Sequence, residues 1–162
     1  MSIVKSYLEK HSFRPAYFGD EPESGLAMIL VIPVHNEKDL LSSVESLHQC
    51  ARPLGNLEII LVFNAAEDAA AEIKKSNRLA KEEILDWIEN QDEQWFRLKI
   101  IEENDLPRKH AGVGLARKIG MDEAVRRFQR IGKEDGVILC FDADSRCENN
   151  YLQEVERHFL LH

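Results

Sequence analysis

The sequence contains no apolar run approaching the ~20 residues that cross a bilayer, and its first eighteen residues, "MSIVKSYLEKHSFRPAYF", hold no apolar core of a secretory signal. Positive charge is also in short supply. Lys and Arg number 21 against 29 Asp and Glu, a net charge of −8. That balance excludes the broad basic footprint on which nucleic-acid binding depends. Cysteine is scarce, and its three positions, Cys50, Cys140 and Cys147, are odd in number and follow no framework spacing. Reduced thiols and a cytoplasmic location are therefore expected, with any membrane association left to a longer parent protein. Cys140, placed inside an apolar run, is expected in the core. Neither an internal repeat nor a low-complexity linker is visible.

A 44% hydrophobic fraction in 162 residues remains, enough for one domain with a proper core. Four segments have the character of buried parallel strands: 27–33, 57–63, 97–101 and 137–142. All but the third are nearly continuous apolar runs, as strands covered on both faces require. The third is mixed and is placed nearer an edge.

Helical periodicity fills the intervals. Over 37–52, Leu40, Leu41, Val44, Leu47 and Ala51 recur at three- and four-residue spacing, with Asn36 as the expected N-cap. A more polar pattern covers 67–91. The third helix, about 111–131, carries Gly112, Ala116, Gly120 and Ala124 four apart, a ridge of small residues suited to close approach to a sheet. A last amphipathic pattern, "NNYLQEVERHFLLH", reaches the end of the chain without a stop signal. The alternation β-α-β-α-β-α-β-α predicts a Rossmann-like three-layer α/β/α fold with a mostly parallel sheet spanning 27–162. Residues 1–26 form a lead-in, irregular or helical, with 20–25 as a loop.

In such sheets ligands bind beyond the carboxyl ends of the strands. Those exits read "PVHNE" (33–37), "NAAED" (64–68), "EENDLPRKH" (102–110) and "DADSR" (142–146), all polar. At the fourth exit, Asp142 and Asp144 project together if the extended backbone persists that far. Adjacent carboxylates repel unless a cation lies between them. A divalent cation, Mn²⁺ or Mg²⁺, suits them, because both prefer oxygen ligands and Mg²⁺ needs few from the protein when a diphosphate supplies the rest. Lys109, His110 and Arg117 form a positive cluster around the start of the third helix, placed to hold phosphate oxygens.

Several other motifs fail. "HAGVGLARKIG" has Arg117 where G-x-G-x-x-G needs its last glycine; there is no Walker sequence and no H-E-x-x-H helix, and Cys147 has no base nearby in sequence. A dehalogenase-type phosphatase would carry D-x-D on its first strand. A nucleotidyltransferase would have a glycine-rich loop after that strand, and a receiver domain would have acids there.

Together, "ILVIPVHNE", "LVFNAAED", "AGVGLARKIGMDEA" and "ILCFDADSRCENNYL" resemble the motifs of the family 2 glycosyltransferases, in order, over roughly residues 27–160. The resemblance implies the GT-A nucleotide-sugar fold, incomplete at the C-terminus, and transfer of a sugar from a UDP- or GDP-linked donor to an acceptor hydroxyl. It places Pro33, His35, Asn36 and Glu37 against the base and ribose. Asn64 takes the place of the acid that meets the base edge, with Lys109 and Arg117 near the nucleotide. Asp142 is placed at the ribose or metal-bound waters, and Asp144 on the metal. Two departures qualify it. Phe63-Asn64 replaces an acidic pair, which puts a uracil preference in question because an amide can also donate. The family's catalytic base and acceptor site lie well beyond D-x-D, so this chain is expected to be the donor-binding part of a longer protein. The alternative is a non-catalytic nucleotide-sugar-binding module or pseudo-transferase.

Overall fold

The structure, a computed structural model, describes residues 3–161. Its elements are α1 (Ile3–His11), β1 (Leu26–Val34), α2 (Leu40–His48), β2 (Asn56–Ala66), α3 (Ala71–Glu89), β3 (Arg97–Leu106), α4 (Val113–Arg130), β4 (Val137–Cys140) and α5 (Tyr151–Leu161). The strands pair in parallel in the order β3-β2-β1-β4. This is the α/β/α architecture the alternation predicts.

The period of two along each strand divides the core. Met28, Leu30, Ile32, Leu57, Ile59, Leu61 and Phe63 pack with Leu40, Val44 and Leu47 of α2, Ala80 and Ile84 of α3 and Leu152 of α5. The opposite parity, Ile29, Val31, Ile60 and Val62, packs with Ala116, Ile119, Ala124 and Phe128 of α4. Both faces of β1 and β2 are thus closed to water, which explains why those segments read as unbroken apolar runs.

The ridge of small residues has a steric cause. A Cβ on Gly120 would sit 2.3 Å from Val31 Cγ1 and 3.1 Å from Val62 Cγ2. Both valines are β-branched and held in the central strands, so neither can swing away cheaply.

Three expectations are corrected. The fourth segment is an edge strand only four residues long, half-buried rather than covered on both faces, because no strand lies beyond it in the sheet. Cys140 at its end is consequently exposed, not core. Asn36 does not cap α2: it adopts φ 49°, its N–H donates to Asn77 Oδ1 at 2.9 Å, and the helix starts only after Asp39. The buried side-chain acceptor on α3 wins over a local cap.

The lead-in is stitched to α4 by carboxylates that point inward. Asp122 and Glu123 are buried and accept from the Phe13, Tyr17 and Phe18 N–H groups at 3.1, 3.2 and 3.3 Å. The Tyr7 hydroxyl donates to Asp122 at 2.8 Å. Arg127, fully buried, makes a two-point contact with Glu58 of β2 and reaches Asp20 at 3.2 Å. Hydrogen bonding from Lys99, then from Arg127, holds the Asp20 carboxyl down to about 2.

Two outcomes are expected. Gly120→Ala lowers the free energy of unfolding in urea by about 1–3 kcal/mol, the usual cost of overpacking a tight core; an unchanged midpoint would contradict the close approach. Asp20 is charged and bound in the folded state, so its contribution is present above about pH 4 and is lost as pH falls toward about 2. The stability gap between wild type and Asp20→Asn therefore narrows over that window in acid unfolding. A constant gap would show that the carboxylate is not held by its cations.

Candidate functional site

On the side that faces α4, the strand ends and the segments just beyond them build one cleft. Pro33 lies late in β1 with His35 just past it, Asn64 lies late in β2, and Asp142 and Asp144 come after β4. Val113 at the start of α4 closes the space, about 330 Å³, with Glu37 and Ala143 completing its wall. The ladder of β4 ends at Cys140, but Phe141 N–H still donates to Val31 O at 3.0 Å. Burial keeps alternating beyond it: Phe141 and Ala143 are buried, Asp142 and Asp144 exposed. Ser43 of α2 fixes that stretch by donating to Ala143 O at 2.6 Å. The extended backbone does not persist to Asp144, because the chain turns at 143–144 with Ser145 N–H donating to Asp142 O at 3.0 Å, yet both carboxylates line the cleft.

Asparagines organise the exits. Asn64 is 1% exposed; its amide nitrogen donates to Val34 O at 2.9 Å and Val62 O at 3.3 Å, while its Oδ1 is buried with no partner. The reverse amide orientation would set Oδ1 against two carbonyl oxygens, so the hydrogen bonds fix the assignment. The Asn64 carbonyl accepts from His35 Nδ1 at 2.9 Å and from Asn77 Nδ2 at 3.0 Å. An acceptor at Nδ1 requires a proton on that nitrogen. Asn77 also reaches Asn104 Oδ1 of β3 at 3.3 Å. Through Asn77, one buried side chain on α3 ties together the exits of β1, β2 and β3.

Charge is balanced locally. Arg117 in the first turns of α4 pairs with Asp142, both partly exposed, and its buried Nε lacks a partner. Gly112 at the N-cap has φ 140°, and no side chain caps the helix beside the cleft. Lys109 is not brought in: it lies with Glu67, Pro107 and Arg108 in a separate depression. Asn36 does not line the cleft either, since it serves the turn through Asn77. A larger open groove of about 620 Å³ runs along α3 and shares Glu37, but Ala80 alone of its lining residues is buried. The chemistry concentrates in the smaller cleft.

The model of glycosyl transferase family 2 matches residues 29–160, which hold the whole cleft. The chain belongs to that family. No curated protein matches it significantly. Among solved structures, S. aureus TarS 1-349 is similar in fold, with a TM-score of 0.52 at 15% identity over 85% of this chain. The family 2 chain spans 33% of that structure's length.

For a cation the cleft offers the carboxylate oxygens of Asp142 and Asp144, with Glu37 and the His35 ring also in its wall. Among the described residues no group of three or more His, Cys, Asp or Glu could enclose an ion. Two carboxylates fit an ion held mainly by a diphosphate and fit poorly one caged by protein. Sequence reasoning missed Val113, Ala143 and Asn77. Asn77 carries no local signal, because its partners lie 13, 27 and 41 residues away.

Asn77→Ala leaves the Asn36 N–H without its acceptor, and about 1–3 kcal/mol of stability should go with it in chemical denaturation. A loss within a few tenths of a kcal/mol would mean that water replaces the amide.

Proposed function

We propose that the chain binds a nucleoside-diphosphate sugar, UDP- or GDP-linked, as the donor part of a transferase that passes the sugar to an acceptor hydroxyl. The observation that carries this reading is Asn64 Oδ1, a buried acceptor without a partner in the wall of the cleft. An unmet buried acceptor costs about 1–3 kcal/mol, recovered when a donor arrives. The imino N–H of uracil or guanine is such a donor. With its nitrogen already committed to Val34 and Val62, Asn64 offers only an acceptor. It can therefore serve as the family's carboxylate does despite being an amide.

Pro33 and Val113 are the apolar walls for the base and ribose, and His35 and Glu37 lie at the rim. Arg117 and the uncapped start of α4 present positive charge to the diphosphate. Asp142 and Asp144 would hold Mn²⁺ or Mg²⁺, which supplies Lewis-acid neutralisation of the departing diphosphate. The Arg117–Asp142 pair is solvent-exposed and worth at most about 1 kcal/mol, so exchanging one cation for another costs little. Arg117 is then free to turn to phosphate oxygens. In the transfer, the acceptor oxygen bonds to the anomeric carbon, the bond from that carbon to the diphosphate breaks, and a general base takes the hydroxyl proton. No residue of this cleft is assigned as that base, so the chain alone is expected to bind donor and not to turn it over.

Isothermal titration with UDP, GDP and their sugar conjugates, with and without Mn²⁺, tests the reading. One nucleotide should bind in a metal-dependent way. Asp144→Ala should abolish the metal dependence, and Asn64→Ala should weaken that nucleotide about tenfold or more. Binding that is indifferent to metal and to both substitutions would overturn the assignment of the cleft.

A further inference from the structure

A second cluster of reactive groups lies just behind the D-x-D segment and takes no part in the donor chemistry above. Cys50, two residues past α2, is buried, and Cys147, three residues past Asp144, is half-buried. Their sulfurs lie 3.4 Å apart although 97 positions separate them in the chain. Both are free thiols. A disulfide needs about 2.05 Å, so the sulfurs must close by little more than an ångström, a distance that side-chain rotation can supply.

The backbones on either side are already pinned together. Cys147 N–H donates to Ser46 Oγ at 3.4 Å, Ala51 N–H donates to Asn149 O at 2.8 Å, and Asn149 Nδ2 donates to Gln49 O at 2.7 Å. Cys50 Sγ meets Ser46 O and Glu148 O at 3.4 and 3.5 Å. The two chain segments thus hold the thiols face to face without any covalent link. Cys140, on β4, is exposed.

We propose that Cys50 and Cys147 are a dithiol site that peroxide closes reversibly to a disulfide, fastening the segment that carries Asp142 and Asp144 to α2. Cys147 is the sulfur an oxidant reaches first. Its thiolate attacks one oxygen of hydrogen peroxide, becomes a sulfenic acid, and the displaced hydroxide leaves as water. The Cys50 sulfur then attacks the sulfenic sulfur, the S–S bond forms, and the second hydroxide departs with the Cys50 proton. Two thiols and one peroxide give one disulfide and two waters. Burial first, then the contact with Cys147, pushes the Cys50 thiol up to about 12, so it stays protonated while Cys147 meets oxidant. A dithiol reductant reverses the step by exchange. The proposal rests on this packing alone and holds whether or not the cleft binds a nucleotide.

The test treats the full chain with an equivalent of hydrogen peroxide, then with dithiothreitol. Free thiols are titrated in denaturant, non-reducing peptide maps locate the link, and hydrogen exchange follows residues 142–149. Thiols should fall from three to one. The link should join Cys50 to Cys147, amides of 142–149 should exchange several-fold more slowly, and reductant should restore all three readouts. Cys140→Ser should behave as wild type. Cys147→Ser should lose both the link and the slowing, and it leaves the buried Cys50 in place should Cys50→Ser fail to fold. A link through Cys140, Cys147 running on to sulfinic acid with no link, or unchanged exchange after linkage would each overturn the proposal.

Discussion

The buried contact of Arg127 with Glu58 sets where α4 can lie. A charge removed from water is costly unless its partner meets it with good geometry, so the guanidinium and the carboxylate fix each other's place at the start of β2. Gly120, two turns earlier, sets how deep the helix sinks onto Val31 and Val62. Depth and register together leave one position for the start of α4. That start carries Val113 into the wall of the cleft and sets Arg117 against Asp142. Asp20 joins the same ion pair, so the lead-in is part of the fixture and not an ornament on it.

The cleft is made from a repetition of one device. Parallel strands covered on both faces send alternate residues to α4; at the strand ends that same side carries Pro33 and Asn64, and the segments just beyond add His35, Asp142 and Asp144. Asparagine orders these exits. It holds the exits in place by side-chain hydrogen bonds, leaving the backbone turns polar but ordered.

Much of this could be read from the chain because the signals are local. Alternation in "VILCFDAD" brought the two aspartates to one cleft, although the chain turns there, and four-residue spacing placed Gly120 on a sheet. What could not be read depended on distant partners. A lone glutamate in "LEIILVF" gives no hint that Arg127, 69 positions on, neutralises it. Asn36 looked like a cap because no local feature announces Asn77. An apolar run such as "VILC" reads alike in a central strand and in an edge strand covered only by helices, and so Cys140 was misplaced. Lys109 clustered with Arg117 in sequence, yet the turn before α4 carries it to a different surface.

The two borders of the sheet differ in character. β3 presents Arg97, Lys99, Glu102 and Glu103 along its length, charges that keep another chain from adding to it. β4 is short, apolar and uncharged until Asp142. Among the described residues no strand pairs with its outer side. A strand added on that side would extend the sheet without burying charge, and a lysine placed on β4 would oppose it.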